Sequence, residues 1–342
     1  MSLIKVGISH GDINGIGYEV ILKTLSDNRI FDVCIPILYG SSKTIAYYRK
    51  SLELNGDIFV NVIKSATEAI PKRINVINCV SDELKVEMGV ASKEAGMAAF
   101  AALERATNDL KNKEIDTLLT APINKDTIQS EEFNFPGHTE YLEQKFGVQD
   151  SLMFFVSDSL KIALVTNHLP VSKIAQNITQ EKIVRKLQLL NDSLKKDFMI
   201  VKPRIAVLAL NPHAGDNGLL GDEEQNIILP AMKTAQQEHK IFCAGPFPAD
   251  GFFGSTAMKS YDAVLAMYHD QALAPFKALL MDYGVNFTAG LPIVRTSPTH
   301  GTAYDKVGRN TANENSFRQA LYKAVDIYKS RKRYKEYSAN PL

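Results

Sequence analysis

Three apolar runs in this chain end in a histidine. Thr166-Asn167-His168 closes the first, Leu210-Asn211-Pro212-His213 the second and Met267-Tyr268-His269 the third. A histidine just past a buried strand is delivered to the edge of a sheet, and in open α/β sheets that carboxyl edge is where ligands bind. If the strands are parallel neighbours, or if two subunits meet there, the imidazoles converge. Three imidazoles with one open position make a catalytic divalent-metal site. The competing reading is three histidines that each make separate hydrogen bonds. Asp250 and Asp270 stand nearby in the sequence as groups that orient a ligand or move a proton.

A second set of residues suits an anion. Lys277, Arg295, His138 and Thr139 are the types that bind phosphate, Arg in bidentate fashion, and Asn286 reads a hydroxyl, amine or carboxylate. His138 and Thr139 fall in the first turn of a helix opened by Pro136-Gly137, at the positive end of its dipole. A metal that polarises an alcohol favours loss of hydride, and it stabilises the enolate left when a β-keto acid decarboxylates.

Positioning these groups requires alternating strands and helices. Leu3–Ile8 reads as a strand running into Gly11, Gly15 and Gly17 and then a helix, a turn that either cradles an anion or simply needs positive φ. Its spacing does not fit the dinucleotide fingerprint G-x-G-x-x-G. Further strands are expected at 33–39, 74–79, 117–122, 204–210, 241–244 and 261–267. A hairpin is expected over 151–166, and helices at 41–54, 91–111, 179–195 and 225–238. The chain has 342 residues, about two domains by size, and the order of elements assigns 1–135 with 290–342 to one and 136–289 to the other. A formal net charge of +1 gives no footprint for nucleic acid, and no apolar stretch is long enough to span a bilayer. The N-terminus lacks a signal-peptide pattern. The three scattered cysteines, Cys34, Cys79 and Cys243, read as buried thiols of a reducing compartment, so a cytoplasmic location is expected.

Seven segments together resemble one enzyme family. They are Gly11–Gly17, Thr120-Ala-Pro-Ile-Asn-Lys125, Pro136-Gly-His-Thr-Glu140, Asn211-Pro-His-Ala-Gly215, Gly245-Pro-Phe-Pro-Ala-Asp250, Tyr268-His-Asp-Gln271 and Gly290–Thr302. In register from about Lys5 to Ala312 they are similar to the 4-hydroxythreonine-4-phosphate dehydrogenases. That resemblance implies an α/β, two-domain fold of the isocitrate and isopropylmalate dehydrogenase type, with the active site in the interdomain cleft. It implies oxidation of 4-phosphooxy-L-threonine with NAD or NADP. The 2-amino-3-oxo product loses CO2 to give 3-amino-2-oxopropyl phosphate, a precursor of pyridoxal 5′-phosphate. It also implies a divalent metal (Zn, Mg or Co) on His168, His213 and His269, with ligands shared across a homodimer. Substrate contacts are implied at His138, Thr139, Lys277, Asn286 and Arg295, and catalytic roles at Asp250 and Lys277. His300-Gly301-Thr302-Ala303, Asp305 and Asn313 match the adenosine loop of the fold relatives, and an aspartate at 305 favours NAD over NADP. The chain departs from the family where His10 and Ile13 flank Gly11-Asp12. Paralogues acting on threonate or erythronate phosphate share most of these motifs. A phosphate acyltransferase and a phosphosugar-binding protein without turnover are the other readings.

Overall fold

The computed structural model describes residues 3–54, 59–81 and 83–339. In chain order the first elements are β1 (Ile4–Ser9), α1 (Gly17–Leu25), α2 (Ile30–Val33), β2 (Cys34–Gly40), α3 (Ser42–Ser51), β3 (Val60–Ile63), β4 (Ile74–Asn78), α4 (Lys93–Lys111), β5 (Thr117–Thr120) and α5 (His138–Phe146). Then come β6 (Leu152–Val156), β7 (Lys161–Leu164), α6 (Gln180–Phe198), β8 (Arg204–Leu208), α7 (Leu229–Gln237), β9 (Phe242–Phe247), α8 (Ala249–Phe253), β10 (Ala263–Ala266), α9 (His269–Leu280), β11 (Val285–Ala289), β12 (Arg295–Pro298) and α10 (Asn315–Ala339). Among the described residues no helix is long and apolar enough to cross a membrane.

The chain divides into two compact units, Met1–Gln149 with Leu291–Tyr328 and Asp150–Gly290 with Lys329–Leu342. The first unit runs beyond residue 135 because α5 packs into its core, where Tyr141 and Leu142 join Phe133, Leu103 and Leu118. Its strands stand in the order β3-β4-β2-β1-β5-β12, every pair parallel. Helices cover such a sheet on both faces, so β2 and β5 are buried along their whole length. Ser41 and Ser92 fix where α3 and α4 begin by accepting from the backbone N–H of Thr44 and Ala95.

The second unit orders its strands β11-β6-β7-β10-β8-β9. β6 pairs antiparallel with β11 and with β7, which is the expected hairpin, and the remaining pairs are parallel. Phe155, Ile162, Leu164, Val264, Ala266 and Phe276 form the core under α9. The expected helix at 225–238 opens as a single π turn, Glu224–Ile228, before α7.

β3, β11 and β12 were not expected. β3 is four residues long and carries Asn61 amid its apolar residues. β12 is Arg-Thr-Ser-Pro, whose polar composition hides a strand that is buried throughout.

Candidate active-site residues

The turn after β1 is spent on packing. The backbone N–H groups of Asp12, Asn14, Gly15 and Ile16 donate to Pro122 O (2.8 Å), Asp12 Oδ1 (2.8 Å), Asp12 O (3.2 Å) and Thr302 O (3.0 Å). Gly11 has φ +71, where a Cβ would also lie 2.3 Å from Pro122 O. The positive-φ reading of this turn therefore holds, and these four amides are not available to an anion.

Arg295 opens β12 beside β5, and this register sets its guanidinium against Thr120, whose Oγ1 accepts from Nε at 3.1 Å and Nη2 at 2.7 Å. The residue is 3% exposed, and burial, partly offset by Glu140, brings its pKa down to about 10, which still leaves it charged at neutral pH. α5 begins with His138 and Thr139. Its N-cap, Gly137, supplies no side-chain cap, so the helix presents uncapped N–H groups there. His138 is held well below its ordinary pKa, first by burial and then by the positive charges of Arg295 and Lys125. Its Nε2 is enclosed and has no hydrogen-bond partner. A buried cation, a helix N-terminus and a neutral imidazole with an unsatisfied nitrogen form a site prepared for an anionic, hydrogen-bonding group.

In the second unit β10 lies between β7 and β8 and is parallel to both, with Leu265 opposite Ala163 and Val207. The three histidine-bearing strand ends are therefore side by side. Pairing continues past the strands, where Thr166 Oγ1 donates to Met267 O at 2.7 Å. Gln271 ties two of the ends together: it accepts from Met267 N at 2.8 Å and donates to Ala209 O at 2.6 Å. The rings of His168 and His269 come within 5.5 Å, centroid to centroid. His269 Nδ1 lies 2.6 Å from Asp270 Oδ1, which fixes the ring and leaves Nε2 to face a ligand. Both histidines line a cavity of about 700 Å³ together with Asn167, whose Oδ1 is enclosed without a hydrogen-bond partner. Two imidazoles, one oriented by a carboxylate, and an unsatisfied amide oxygen are donors that suit a divalent cation.

His213 does not line that cavity. It is exposed, at the start of six successive residues in the left-handed region: His213 (φ 53), Ala214 (55), Gly215 (77), Asp216 (44), Asn217 (57) and Gly218 (96). Such backbone costs about 1–2 kcal/mol for each residue with a side chain. Buried Glu224 holds the loop by accepting from the N–H of Leu210 and of Asn211, each at 2.8 Å, and from Asn211 Nδ2 at 3.0 Å. Among the described residues no three His, Cys, Asp or Glu side chains come together as a metal site. One chain thus assembles two of the three expected ligands and turns the third outward.

Asn286 lies opposite Phe155 in the β11–β6 pair and so shares its face. Phe276 of α9 packs on Phe155 at 5.9 Å, and exposed Lys277 follows it in the helix. Asp250 is exposed in the first turn of α8.

The loop after β12 is irregular but fastened. His300 Nδ1 lies 3.1 Å from Gly301 O, Thr302 O takes the bond from Ile16 already described, and Ala303 has φ 45. Tyr304 OH donates to Asp12 Oδ2 at 2.6 Å and accepts from Asn124 Nδ2 at 3.0 Å. Burial raises the pKa of Asp12, which is 1% exposed, although the hydrogen bonds it accepts from Tyr304, Asn14 and Gly15 oppose the rise. Asp305 is exposed, and Asn313 Oδ1 accepts from Asn315 N at the start of α10. The sequence named the Gly-Asp turn and the loop but not the Asp12–Tyr304 bond, which joins residues 292 apart. Gln271 lay inside a quoted motif, with nothing to mark it as a bridge.

Residues 32–324 match the family described as pyridoxal phosphate biosynthetic protein PdxA. A 4-hydroxythreonine-4-phosphate dehydrogenase of Bacteroides thetaiotaomicron is 55% identical, over 99% of this chain and 93% of its own. A protein of Oceanobacillus iheyensis, named provisionally as a D-threonate 4-phosphate dehydrogenase, is 35% identical over 94% of this chain and 97% of its own. The crystal structure of 4-hydroxythreonine-4-phosphate dehydrogenase from Klebsiella pneumoniae superposes with a TM-score of 0.83 at 34% identity, covering 96% of this chain and 98% of that one. Isocitrate dehydrogenase from Methylococcus capsulatus, 8% identical over 98% of this chain and 89% of its own at a TM-score of 0.50, shares the fold alone.

Proposed function

The chain belongs to the PdxA family of pyridoxal phosphate biosynthetic proteins, and from that premise we propose how its own residues oxidise 4-phosphooxy-L-threonine. The product is 2-amino-3-oxo-4-phosphooxybutanoate, which loses CO2 to give 3-amino-2-oxopropyl phosphate. Arg295, His138, Thr139 and the α5 N-terminus take the phosphate, because a buried guanidinium and free helix N–H groups recognise a compact dianion. Lys277 and Asn286 bind the polar head of the substrate. His168 and His269 hold a divalent cation with His213 from a second copy of the chain, a homodimer whose ligands are shared. When bound, the cation would supply Lewis-acid polarisation and the nicotinamide a hydride acceptor.

Neutral His138 hydrogen-bonds without adding a charge. Asp270 keeps the His269 ring in its ligating orientation. Asp250 and Lys277 are the groups assigned to proton transfer. The loop from His300 to Asn313 binds the adenosine half of the cofactor, with Asp305 accepting from the ribose hydroxyls and so favouring NAD over NADP. Arg309, four residues on, would favour NADP if it turned towards the ribose.

The observation that most supports this reading is the imidazole pair at the ends of neighbouring strands β7 and β10, with Asp270 orienting one ring. The test is a panel of phosphorylated 3-hydroxy acids with NAD and NADP, metal supplied, followed by absorbance of the reduced cofactor. Turnover of 4-phosphooxy-L-threonine is expected, and no reduction with any member contradicts the reading. The 35% identity to the Oceanobacillus iheyensis protein makes D-threonate 4-phosphate the one competing substrate worth including.

A further inference from the structure

The loop from His300 to Asn313 has a second fastening, at its far end, that no part of the reaction described above uses. Lys23 Nζ donates to Glu19 Oε1 at 2.8 Å, to Asn310 O at 3.1 Å and to Ala312 O at 2.9 Å, which spends all three of its donors. Ala312 N donates to the same Glu19 oxygen at 2.9 Å. Glu19 is fully buried, and the Lys23 side chain is 16% exposed. Asn310 Nδ2 adds a bond to Leu52 O at 3.2 Å.

An i,i+4 Glu–Lys pair on a helix surface is ordinarily solvated and contributes little. This pair is enclosed, and its charges are spent on backbone groups 287 to 293 residues away. The segment it reaches has no ladder or helix to satisfy those groups. With the Tyr304–Asp12 bond, the pair brackets a short run of tight turns in which Lys306 N donates to Ala303 O and Arg309 N to Lys306 O. Gly308 (φ +74) and Asn310 (φ 55) let that run double back. Exposed Asp305 and Arg309 stand between the two fastenings.

We propose that Glu19 and Lys23 are positioning residues for the nicotinamide dinucleotide: they fix residues 305–312 in a binding-ready form so that cofactor binding does not have to order the loop. The proposal rests on the reading of this loop as the cofactor site. Ordering a loop in advance lowers the cost of binding and leaves the chemical step alone.

The experiment compares the parent with Lys23→Met, which keeps the stem and removes the charge, and with the near-isosteric Glu19→Gln, each with Asp305→Ala as reference. Lys23→Met is expected to raise KM for NAD about ten-fold or more, with kcat at saturating NAD within about three-fold of the parent and KM for the phosphorylated substrate unmoved. Glu19→Gln keeps the acceptor for Ala312 N and is expected to fall between. Without substrate, amide hydrogen exchange in residues 305–312 should quicken in both variants, and calorimetric NAD binding to the unreacting enzyme should weaken by the same factor.

A drop in thermal stability with NAD affinity unchanged would make the pair a fold anchor and overturn the proposal. If Asp305→Ala weakens NAD but Lys23→Met does not, the proposal fails and the loop reading stands. If both leave NAD affinity unchanged in an active enzyme, the loop reading has failed and the proposal with it.

Discussion

The histidines of the two units live in opposite surroundings. In the first unit His10 is fully buried, stacked on Tyr18 at 5.2 Å, and burial brings its pKa down to about 4 against weaker hydrogen bonding at Gly11 and Ala98. His138 is held neutral by the same physics, reinforced by Arg295 and Lys125. In the second unit His168 and His213 are exposed at strand ends, and the His269 side chain is 36% exposed. In the first unit one chain by itself sets a neutral His138 beside the buried cation Arg295. At the exposed rim one chain brings His168 and His269 together, and His213 stands apart on left-handed backbone next to the segment that Glu224 holds. The difference separates what the folding of one chain supplies from what the proposed dimer and cation would add.

The largest effect expected from this contrast is on acid stability. Burial brings the pKa of His10 down to about 4 from its ordinary 6.5, so the neutral form is the native one. Its contribution is fully present above pH 6.5. Below that the unfolded chain takes up a proton the native chain refuses, and roughly 3 kcal/mol is lost by about pH 4. Denaturant unfolding from pH 7 to 4 should show that slope, and His10→Gln should flatten it; equal slopes would mean that His10 is not the group titrating.

The rim responds differently. His213→Ala should cost less than about 0.5 kcal/mol of folding stability, since the side chain is exposed, yet lower kcat/KM by roughly a hundred-fold. Metal titration and melting curves on the same samples separate the two. A variant that keeps full activity after chelation would remove His213 from the site.

The anion end can be tested by substrate choice. Arg295→Ala should weaken the phosphorylated substrate by about 1.5–3 kcal/mol, roughly ten- to a hundred-fold, and its dephosphorylated analogue little. Equal losses for both would make Arg295 structural. The smallest expected change is at Ala214 (φ 55), where Ala214→Gly should stabilise the chain by about 1 kcal/mol by relieving left-handed backbone. Equilibrium unfolding reads it directly, and a destabilised variant would show that the loop is not strained there.

How much of this was visible in the sequence depended on the range of the interaction. The strand ends at His168, His213 and His269 are local facts, since each apolar run stops at polar residues. That β10 lies between β7 and β8 is not local, because no pattern within a strand names its neighbour. Arg295 was read as an anion group but not as the start of a strand, since Arg-Thr-Ser-Pro resembles a loop until Thr120 is seen beside it. The left-handed run was hidden for a similar reason. Asn211-Pro-His-Ala-Gly-Asp-Asn contains one glycine, and what holds it is a carboxylate 13 residues beyond Asn211. Glu19 and Lys23 look like any surface pair at helical spacing until the partners of Lys23 are traced.

The proposed sharing of the histidines between two copies is tested most directly by mixing two impaired variants. His213→Ala and His269→Ala should each bind metal weakly and reduce NAD at no more than about a hundredth of the parent kcat/KM. Unfolded together and refolded, half of the dimers are mixed, and one of the two sites in each combines His168 and His269 of one copy with His213 of the other. About a quarter of the parent activity and metal content should return. A mixture that stays inactive, while remixed parent chains recover fully, would contradict the account by placing all three ligands on one chain.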